Sequence, residues 1–144
     1  MGINISEEII QISCEHGHLD VAKWLLYRGV KTDLNNLFKI VCKKGNVKMA
    51  EWIYSLKKIG KKCLKEIFEK SFYINKYEIV DWIYSLNILD ISDIENIFQK
   101  FCKNGLLEKA KYMYLLIKSI NIHINDDYLF KNSPKNIIKW LKSL

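Results

Sequence analysis

Apolar residues recur along the chain at helical spacing, and a turn residue interrupts the pattern at regular intervals. Around Gly45, apolar side chains stand three, four, seven, eight and eleven positions before the glycine. This spacing places them on one face of a helix. After the glycine, apolar or small residues stand four, five, seven, eight and eleven positions on, again along one face. The pattern predicts two amphipathic helices joined by a tight turn.

The same helix-turn-helix pattern occurs five times. Aligned on the turn residue, every copy carries a Trp or Tyr seven positions later, and successive copies lie 28, 30, 30 and 28 residues apart. The turn residues are Gly17, Gly45, Asn75, Gly105 and Ser133, and the aromatic row is Trp24, Trp52, Trp82, Tyr112 and Trp140. Because one helix pair cannot bury its apolar face alone, neighbouring pairs must stack.

These repeats predict an all-α solenoid of about five helix-turn-helix units. The 144 residues include one proline, six glycines and no Ser/Gly-rich linker, so nothing in the sequence marks a domain boundary. We therefore expect a single domain with repeats at approximately 4–31, 32–60, 61–90, 91–119 and 120–144.

Within this frame the turn residues and the aromatic row are predicted to be structural. Gly17, Gly45 and Gly105 suit the left-handed backbone conformation that ends a helix. The aromatic row is expected to be buried where pairs meet, so truncating one ring to Ala would cost roughly 3 to 5 kcal/mol. Three of the four cysteines share a repeat position that holds Phe in the other two repeats, which indicates packing rather than disulfide formation.

The segment "GHLDVAKWLLYRG" from Gly17 resembles the second helix and following turn of an ankyrin repeat, which reads G-H-x-E-V-V-x-x-L-L-x-x-G. The later versions "MAEWIYSL" and "IVDWIYSL" resemble divergent ankyrin-type repeats of giant amoeba-infecting viruses and of amoebae. The resemblance covers residues 4–144. No repeat carries the T-P-L-H signature, and the period is three to five residues shorter than the usual 33. We therefore expect trimmed finger loops, and a generic α-solenoid of helix pairs is the alternative fold.

The resemblance implies a protein-binding scaffold whose first helices line a concave surface. On that geometry, the residues six and two positions before each turn face the partner. Tyr73 is the preferred anchor, because large amphipathic side chains are enriched at binding hot spots; packing under the shortened loop is its alternative role. The candidate partner-binding residues at these positions are Glu15, Lys39, Lys43, Tyr73, Gln99 and Lys103.

Charge is unevenly distributed along the chain, whose formal net charge is +7. Residues 31–76 hold twelve lysines and four acidic residues, whereas residues 77–99 hold five acidic residues and no lysine. A basic block peaks in "KKIGKK", and it could steer an acidic protein, a nucleic acid or an anionic membrane surface, or form a solvated loop. Its lysines are Lys57, Lys58, Lys61 and Lys62. One Arg against 22 Lys makes nucleic acid the second choice, since base and phosphate readers favour Arg.

Candidate chemistry is sparse. The sequence contains no nucleophile elbow, H-E-x-x-H, P-loop or G-x-G-x-x-G motif, which argues against an enzyme. The segment "CEHGH" at residues 14–18 lacks zinc-finger ligand spacing, so we expect neither a metal nor another cofactor. No apolar run is long enough to span a membrane, and no signal peptide is evident.

Together these features predict a non-catalytic protein–protein interaction module, acting as a scaffold or adaptor. The expected partner is a host or cellular protein, with an acidic surface as one option; by resemblance, such viral proteins engage host factors that include ubiquitin-ligase components. A nucleic-acid-binding helical-repeat protein is the alternative. We expect a monomer in the cytosol or nucleus, of the host cell if the protein is viral, and not a secreted protein.

Overall fold

The computed structural model describes residues 4–144, apart from the side chains of residues 124 and 125, and this part of the chain contains ten α-helices and no strand. Consecutive helices form five pairs, which confirms the predicted all-helical, paired architecture. Each pair lies inside one of the repeat ranges given above. The helices are α1 (Ile5–Glu15), α2 (Leu19–Tyr27), α3 (Leu34–Lys44), α4 (Val47–Leu56), α5 (Lys61–Tyr73), α6 (Tyr77–Ser85), α7 (Ile91–Lys103), α8 (Leu107–Leu116), α9 (Ile124–Asn132) and α10 (Lys135–Leu141).

The chain divides into two compact units, Met1–Asn87 and Ile88–Leu144, where a single domain was expected from the absence of a linker. In the first unit, pairs 1 to 3 stack in sequence: α1 packs on α3, α3 packs on α5, and α4 packs on α6. In the second unit, α7 packs on α9, so pair 4 stacks on pair 5. Each helix also packs on the other helix of its own pair.

The turns within pairs 1 to 4 have the predicted left-handed conformation. The φ angles are +74° at Gly17, +79° at Gly45 and +72° at Gly105, and Asn75 has φ +58°. In pair 2, the Gly45 amide donates to the carbonyl of Cys42 at 3.0 Å, and the following amide reaches further back into α3. This closure satisfies carbonyls that a helix end would otherwise leave without partners.

The core residue of each second helix lies eight positions after the turn, one position beyond the aromatic row. These residues are 8% exposed or less, and they are Leu25, Ile53, Ile83, Met113 and Leu141. One residue further along an α-helix is about 100° further around it. The aromatic row therefore lies at the edge of the buried face rather than at its centre.

The prediction that the aromatic row is buried is wrong for Trp24, which is 59% exposed. The other four rings, those of Trp52, Trp82, Tyr112 and Trp140, are half-buried. Trp24 belongs to pair 1, which no other helix pair precedes within residues 4–144. Within residues 4–144, no preceding pair covers the Trp24 ring, and this accounts for its exposure.

Trp82 shows what covers an aromatic-row residue when a preceding pair is present. Its ring centroid lies 5.9 Å from that of Phe38 on α3 and 5.8 Å from that of Tyr54 on α4. Phe38 stands seven positions before the turn of pair 2, and Tyr54 stands nine positions after it. We call this pair of positions the slot of a helix pair. An edge-to-face ring contact of this kind adds about 0.5–1.5 kcal/mol beyond area burial.

The second unit repeats this arrangement. Trp140 of pair 5 lies 6.3 Å from Phe98 and 5.8 Å from Tyr114, measured between ring centroids. Phe98 and Tyr114 occupy the slot positions of pair 4. An indole set into the slot of the preceding pair is therefore a recurring joint, seen in both units.

The three cysteines that share a repeat position are core residues, as the sequence predicted. Cys14, Cys42 and Cys102 are 0%, 1% and 0% exposed, and each is a free thiol. Burial raises their pKa values to about 11, about 12 and about 12, because a thiolate would lose its hydration there. These thiols are protonated at neutral pH and act as small apolar side chains.

Candidate functional site

A groove of about 320 Å³ lies between α3 and α5, the first helices of pairs 2 and 3. We call it the α3–α5 groove. Helical spacing brings its lining to one side, because residues three and four positions apart share a helix face. The lining consists of Lys39, Cys42 and Lys43 from α3 and Glu66, Ile67, Lys70, Ser71, Tyr73 and Ile74 from α5 and its C-terminal end.

Local sequence fixes the two helices that form the groove. At the start of α3, the Asp33 carboxylate accepts hydrogen bonds from the backbone amides of Asn35 at 2.9 Å and Asn36 at 3.3 Å. This N-cap satisfies donors that have no partner within the helix. At the start of α5, the buried side chain of Ile59, 2% exposed, anchors the preceding loop. The starts of both groove-forming helices are therefore fixed by local interactions.

The floor of the groove is buried and nearly free of charge. Cys42, Ile67 and Ser71 are 1%, 7% and 2% exposed. At the rim, Tyr73 is 45% exposed and Ile74 is 41% exposed. A large aromatic side chain and a β-branched side chain are therefore open to solvent beside an apolar depression, which is the composition of a small docking surface rather than of a solvated helix face.

The charge around the groove is positive. Lys39, Lys43 and Lys70 are exposed, and Glu66 is the single acidic residue in the lining. Among residues 4–144, none of these three ammonium groups forms a salt bridge. Their charges are therefore available to an incoming anionic group.

The thiols near the groove are unsuited to nucleophilic chemistry. The pKa of Cys42 is raised by burial and, to a smaller degree, by the neighbouring Cys63. Burial also raises the pKa of the half-buried Cys63; Lys39 and Lys70 oppose that shift, and Glu66 adds to it. Both thiols thus carry their protons at neutral pH, which makes them poor nucleophiles.

The groove brings together three of the predicted partner-binding residues, Lys39, Lys43 and Tyr73. Glu15 is exposed near the end of α1 and does not line the groove. Gln99 is half-buried and Lys103 is exposed, both on α7 of the second unit. The predicted set therefore does not form one continuous site within a unit.

The basic block is exposed but lies outside the groove lining. Lys57 is the C-cap residue that follows α4, Lys58 lies in the loop, and Lys61 and Lys62 begin α5. All four are exposed, and the buried Ile59 stands between them. The block is thus a surface feature of an anchored loop.

Six of the nine lining residues were not predicted as site residues: Cys42, Glu66, Ile67, Lys70, Ser71 and Ile74. Ile74 stands directly before the turn residue, where other repeats carry the polar residues His16, Lys44 and Asn104. An apolar residue outside the repeating frame was the available signal. Lys70 had no such signal, because its place in the lining depends on the packing of α5 against α3.

The described part of the chain, residues 4–144, lacks two further features. Among its residues, no group of three or more His, Cys, Asp or Glu side chains could hold a metal ion. Nor is any helix in residues 4–144 long and apolar enough to cross a membrane. No protein-family model matches the chain, and no curated protein or solved structure matches it either.

Proposed function

We propose that the chain is a non-catalytic protein-interaction module built from ankyrin-like helix pairs. The fold part of this proposal is supported by side-by-side stacking of pairs within each unit and by the left-handed turns inside pairs 1 to 4. Rigid helix pairs present a surface whose side chains vary between repeats while the apolar frame stays constant. Such a scaffold is suited to recognition.

The α3–α5 groove is the proposed binding site. The observation that carries this is the combination of three unpaired lysines with an apolar floor and the exposed Tyr73. The chemistry complementary to it is an acidic protein segment that also carries a bulky apolar side chain. The apolar group would fill the depression, and the carboxylates would face the lysines.

The proposed partner is a cellular protein. The resemblance of the repeats to ankyrin-type repeats of amoeba-infecting viruses supports a host protein, and an adaptor role follows from that resemblance alone. In this role, the chain would be located in the cytosol or nucleus, where the partner resides.

A peptide library displayed on phage, offered to the immobilised full chain, tests the binding site. We expect enrichment of peptides that combine Asp or Glu with one bulky apolar residue. The double variant Lys43→Glu, Tyr73→Ala should weaken binding of an enriched peptide by tenfold or more, since anchor residues dominate interface energetics.

The matched control is Lys48→Glu, Tyr27→Ala, which makes the same two changes at exposed positions outside the groove. It should leave the affinity unchanged, and both variants should keep the helical signal in circular dichroism. Equal loss in both variants, or enrichment of peptides without acidic residues, would disprove the proposed site.

Nucleic-acid binding is the second candidate, and the exposure of the basic block favours it. If the four lysines contact phosphates, the affinity for an oligonucleotide should fall steeply with salt, with a slope set by the number of contacts. Changing all four to Gln should reduce that slope, whereas the Lys43→Glu, Tyr73→Ala variant should reduce it less. A slope near zero in the wild type would rule out this function.

A further inference from the structure

The α3–α5 groove carries a charge pattern that the repeat does not reproduce. Its three lysines stand six and two positions before the turn of pair 2 and five positions before the turn of pair 3. First helices also stack at two other joints within the units, α1 on α3 and α7 on α9. The equivalent residues at those joints are Gln11, Glu15 and Ile40, and Gln99, Lys103 and Tyr128. Helix packing therefore does not require three lysines, because the other two joints form without them.

The three lysines come from both helices that form the groove. Lys39 and Lys43 are four residues apart on α3, so they share a helix face and stand about 6 Å apart along its axis. Lys70 lies on α5, which packs on α3. Burial is the main cause of the raised pKa of the Cys63 thiol; Lys39 and Lys70 oppose that shift. Charges from the two helices therefore act at the same place.

The charge of the groove lining matches that of one phosphate group. Three lysines and Glu66 give the lining a formal charge of +3 − 1 = +2. A phosphorylated serine or threonine carries a charge of about −1.5 to −2 at pH 7, with three strong acceptor oxygens on one phosphorus atom. Asp or Glu supplies a single charge, so two acidic side chains would have to enter a groove of about 320 Å³ beside Glu66.

We propose that the partner segment bound in the α3–α5 groove carries a phosphoserine or phosphothreonine next to a bulky apolar residue. This inference rests on the proposed function, because it names the anionic group that the same site recognises. Lysine binds phosphate as a point charge, without the paired hydrogen bonds of arginine. Recognition therefore depends on three ammonium groups acting together, and the flexible lysine stems allow them to converge on one phosphate.

The position of the charges in the groove favours these two residues over phosphotyrosine. The three lysines are exposed, whereas Cys42 and Ile67 on the floor are 1% and 7% exposed. A phosphotyrosine ring that entered the groove would bring the phosphate at its tip against these buried apolar side chains, where desolvation of a dianion is costly. A short phosphorylated side chain keeps the phosphate at the rim, and the neighbouring apolar residue fills the floor.

The rim also favours a peptide over a free phosphate or a lipid headgroup. Tyr73 and Ile74 are 45% and 41% exposed beside the lysines. They provide apolar contact area for the residues that flank the phosphorylated position in a protein segment. A phosphate without such flanking residues would leave this area in contact with water.

The affinities of matched peptides test the proposal. An array of short peptides with a fixed central phosphoserine and random flanks is offered to the full chain, and the best binder is resynthesised with Asp or Ser at the centre. Fluorescence polarisation then measures three dissociation constants. We expect the phosphoserine form to bind about tenfold more tightly than the Asp form, because it brings twice the charge and a third acceptor oxygen. The Ser form should bind most weakly.

Variants of the groove separate the phosphate contact from the other peptide contacts. Lys70→Met keeps much of the side-chain length without the charge, so it should weaken the phosphoserine peptide about tenfold and the Ser peptide much less. Glu66→Gln removes the opposing charge and should strengthen the phosphoserine peptide about threefold. The matched control is Lys48→Met, which changes an exposed lysine of α4 outside the lining and should leave all three affinities unchanged.

Three results would overturn the phosphate inference and leave the acidic-peptide site in place. They are an Asp form that binds as tightly as the phosphoserine form, a phosphoserine peptide that binds no more tightly than inorganic phosphate, and equal weakening by Lys70→Met and Lys48→Met. Phosphoinositide vesicles that bind through Lys70, when no phosphopeptide binds, would assign the site to a membrane instead. If neither phosphopeptides nor the acidic peptides selected on phage bind, the proposed function is itself wrong.

Discussion

Trp24 and Trp82 are the same residue type at the same repeat position, yet their environments differ. Trp82 lies against Phe38 and Tyr54 of the preceding pair, and Trp24 is 59% exposed. The comparison shows that burial in this chain depends on the neighbouring helix pair more than on the residue itself. This is the behaviour of a stacked array, whose stability is a sum of repeat and interface terms.

The largest expected effect comes from truncating these two rings. Trp82→Ala should lower the free energy of unfolding by about 3 kcal/mol, at the lower end of the range for buried aromatic residues because the ring is half-buried. Trp24→Ala should change it by about 0.5 kcal/mol, as is usual at exposed sites. Urea denaturation followed by circular dichroism measures both. Equal losses would contradict the comparison.

The buried thiols show that pair 1 has not lost its whole core, because Cys14 of pair 1 is as buried as Cys42 of pair 2. The exposed positions of pair 1 are those that face a preceding pair in the other repeats.

The folded pKa of Cys42 is about 12 against 9.0 for an ordinary thiol, so the folded protein keeps a proton that the unfolded chain releases. The stabilisation is complete below pH 9 and is lost as the pH rises towards 12, at about 1.4 kcal/mol per pH unit.

The expected consequence is a difference between variants at alkaline pH. Between pH 8 and pH 10.5, the wild type should lose about 2 kcal/mol more stability than Cys42→Ala, since only the wild type retains this thiol. Lysine and tyrosine titration affects both proteins alike. A Cys14→Ala variant should behave similarly, and parallel pH profiles in all three proteins would show that the thiols are not buried.

A smaller effect is expected at the turns. Gly45 and Gly29 both have positive φ, but a Cβ on Gly45 would lie 2.9 Å from Cδ of Lys76 in the next pair, and one on Gly29 would meet nothing within 4 Å. Both substitutions to Ala incur the left-handed backbone penalty of roughly 1 kcal/mol. Gly45→Ala should cost a few tenths of a kcal/mol more, because Lys76 is flexible and can move. Thermal unfolding of the two variants measures both costs. A larger loss of stability for Gly29→Ala than for Gly45→Ala would argue against this contact between pairs.

Much of the fold could be predicted because helix periodicity and turn chemistry are local. The 3.6-residue spacing located both helices of each pair, and the glycines located the left-handed turns at Gly17, Gly45 and Gly105. The error at the aromatic row arose because the residues seven and eight positions after the turn are both large and apolar. Which of them is central depends on how helices pack. Trp24 is exposed because no other described helix pair packs on that side of pair 1.

The candidate site was predicted only in part, for a related reason. Lys39, Lys43 and Tyr73 were expected on the binding side from the resemblance to ankyrin repeats, and they do line one groove. Lys70 entered that lining only through the packing of α5 on α3, which sequence spacing does not encode. The face of a helix can be predicted from one segment of sequence, whereas a groove forms between two helices whose packing the sequence spacing does not give.

The central claim is that an indole of one pair fits into the slot of the preceding pair. Nuclear Overhauser measurements on the isotope-labelled chain test it directly. We expect cross-peaks from the Trp82 indole to the rings of Phe38 and Tyr54, whose centroids lie 5.9 and 5.8 Å away. If the Trp82 indole shows cross-peaks only to residues of its own helix pair, the stacked arrangement proposed for pairs 2 and 3 is wrong.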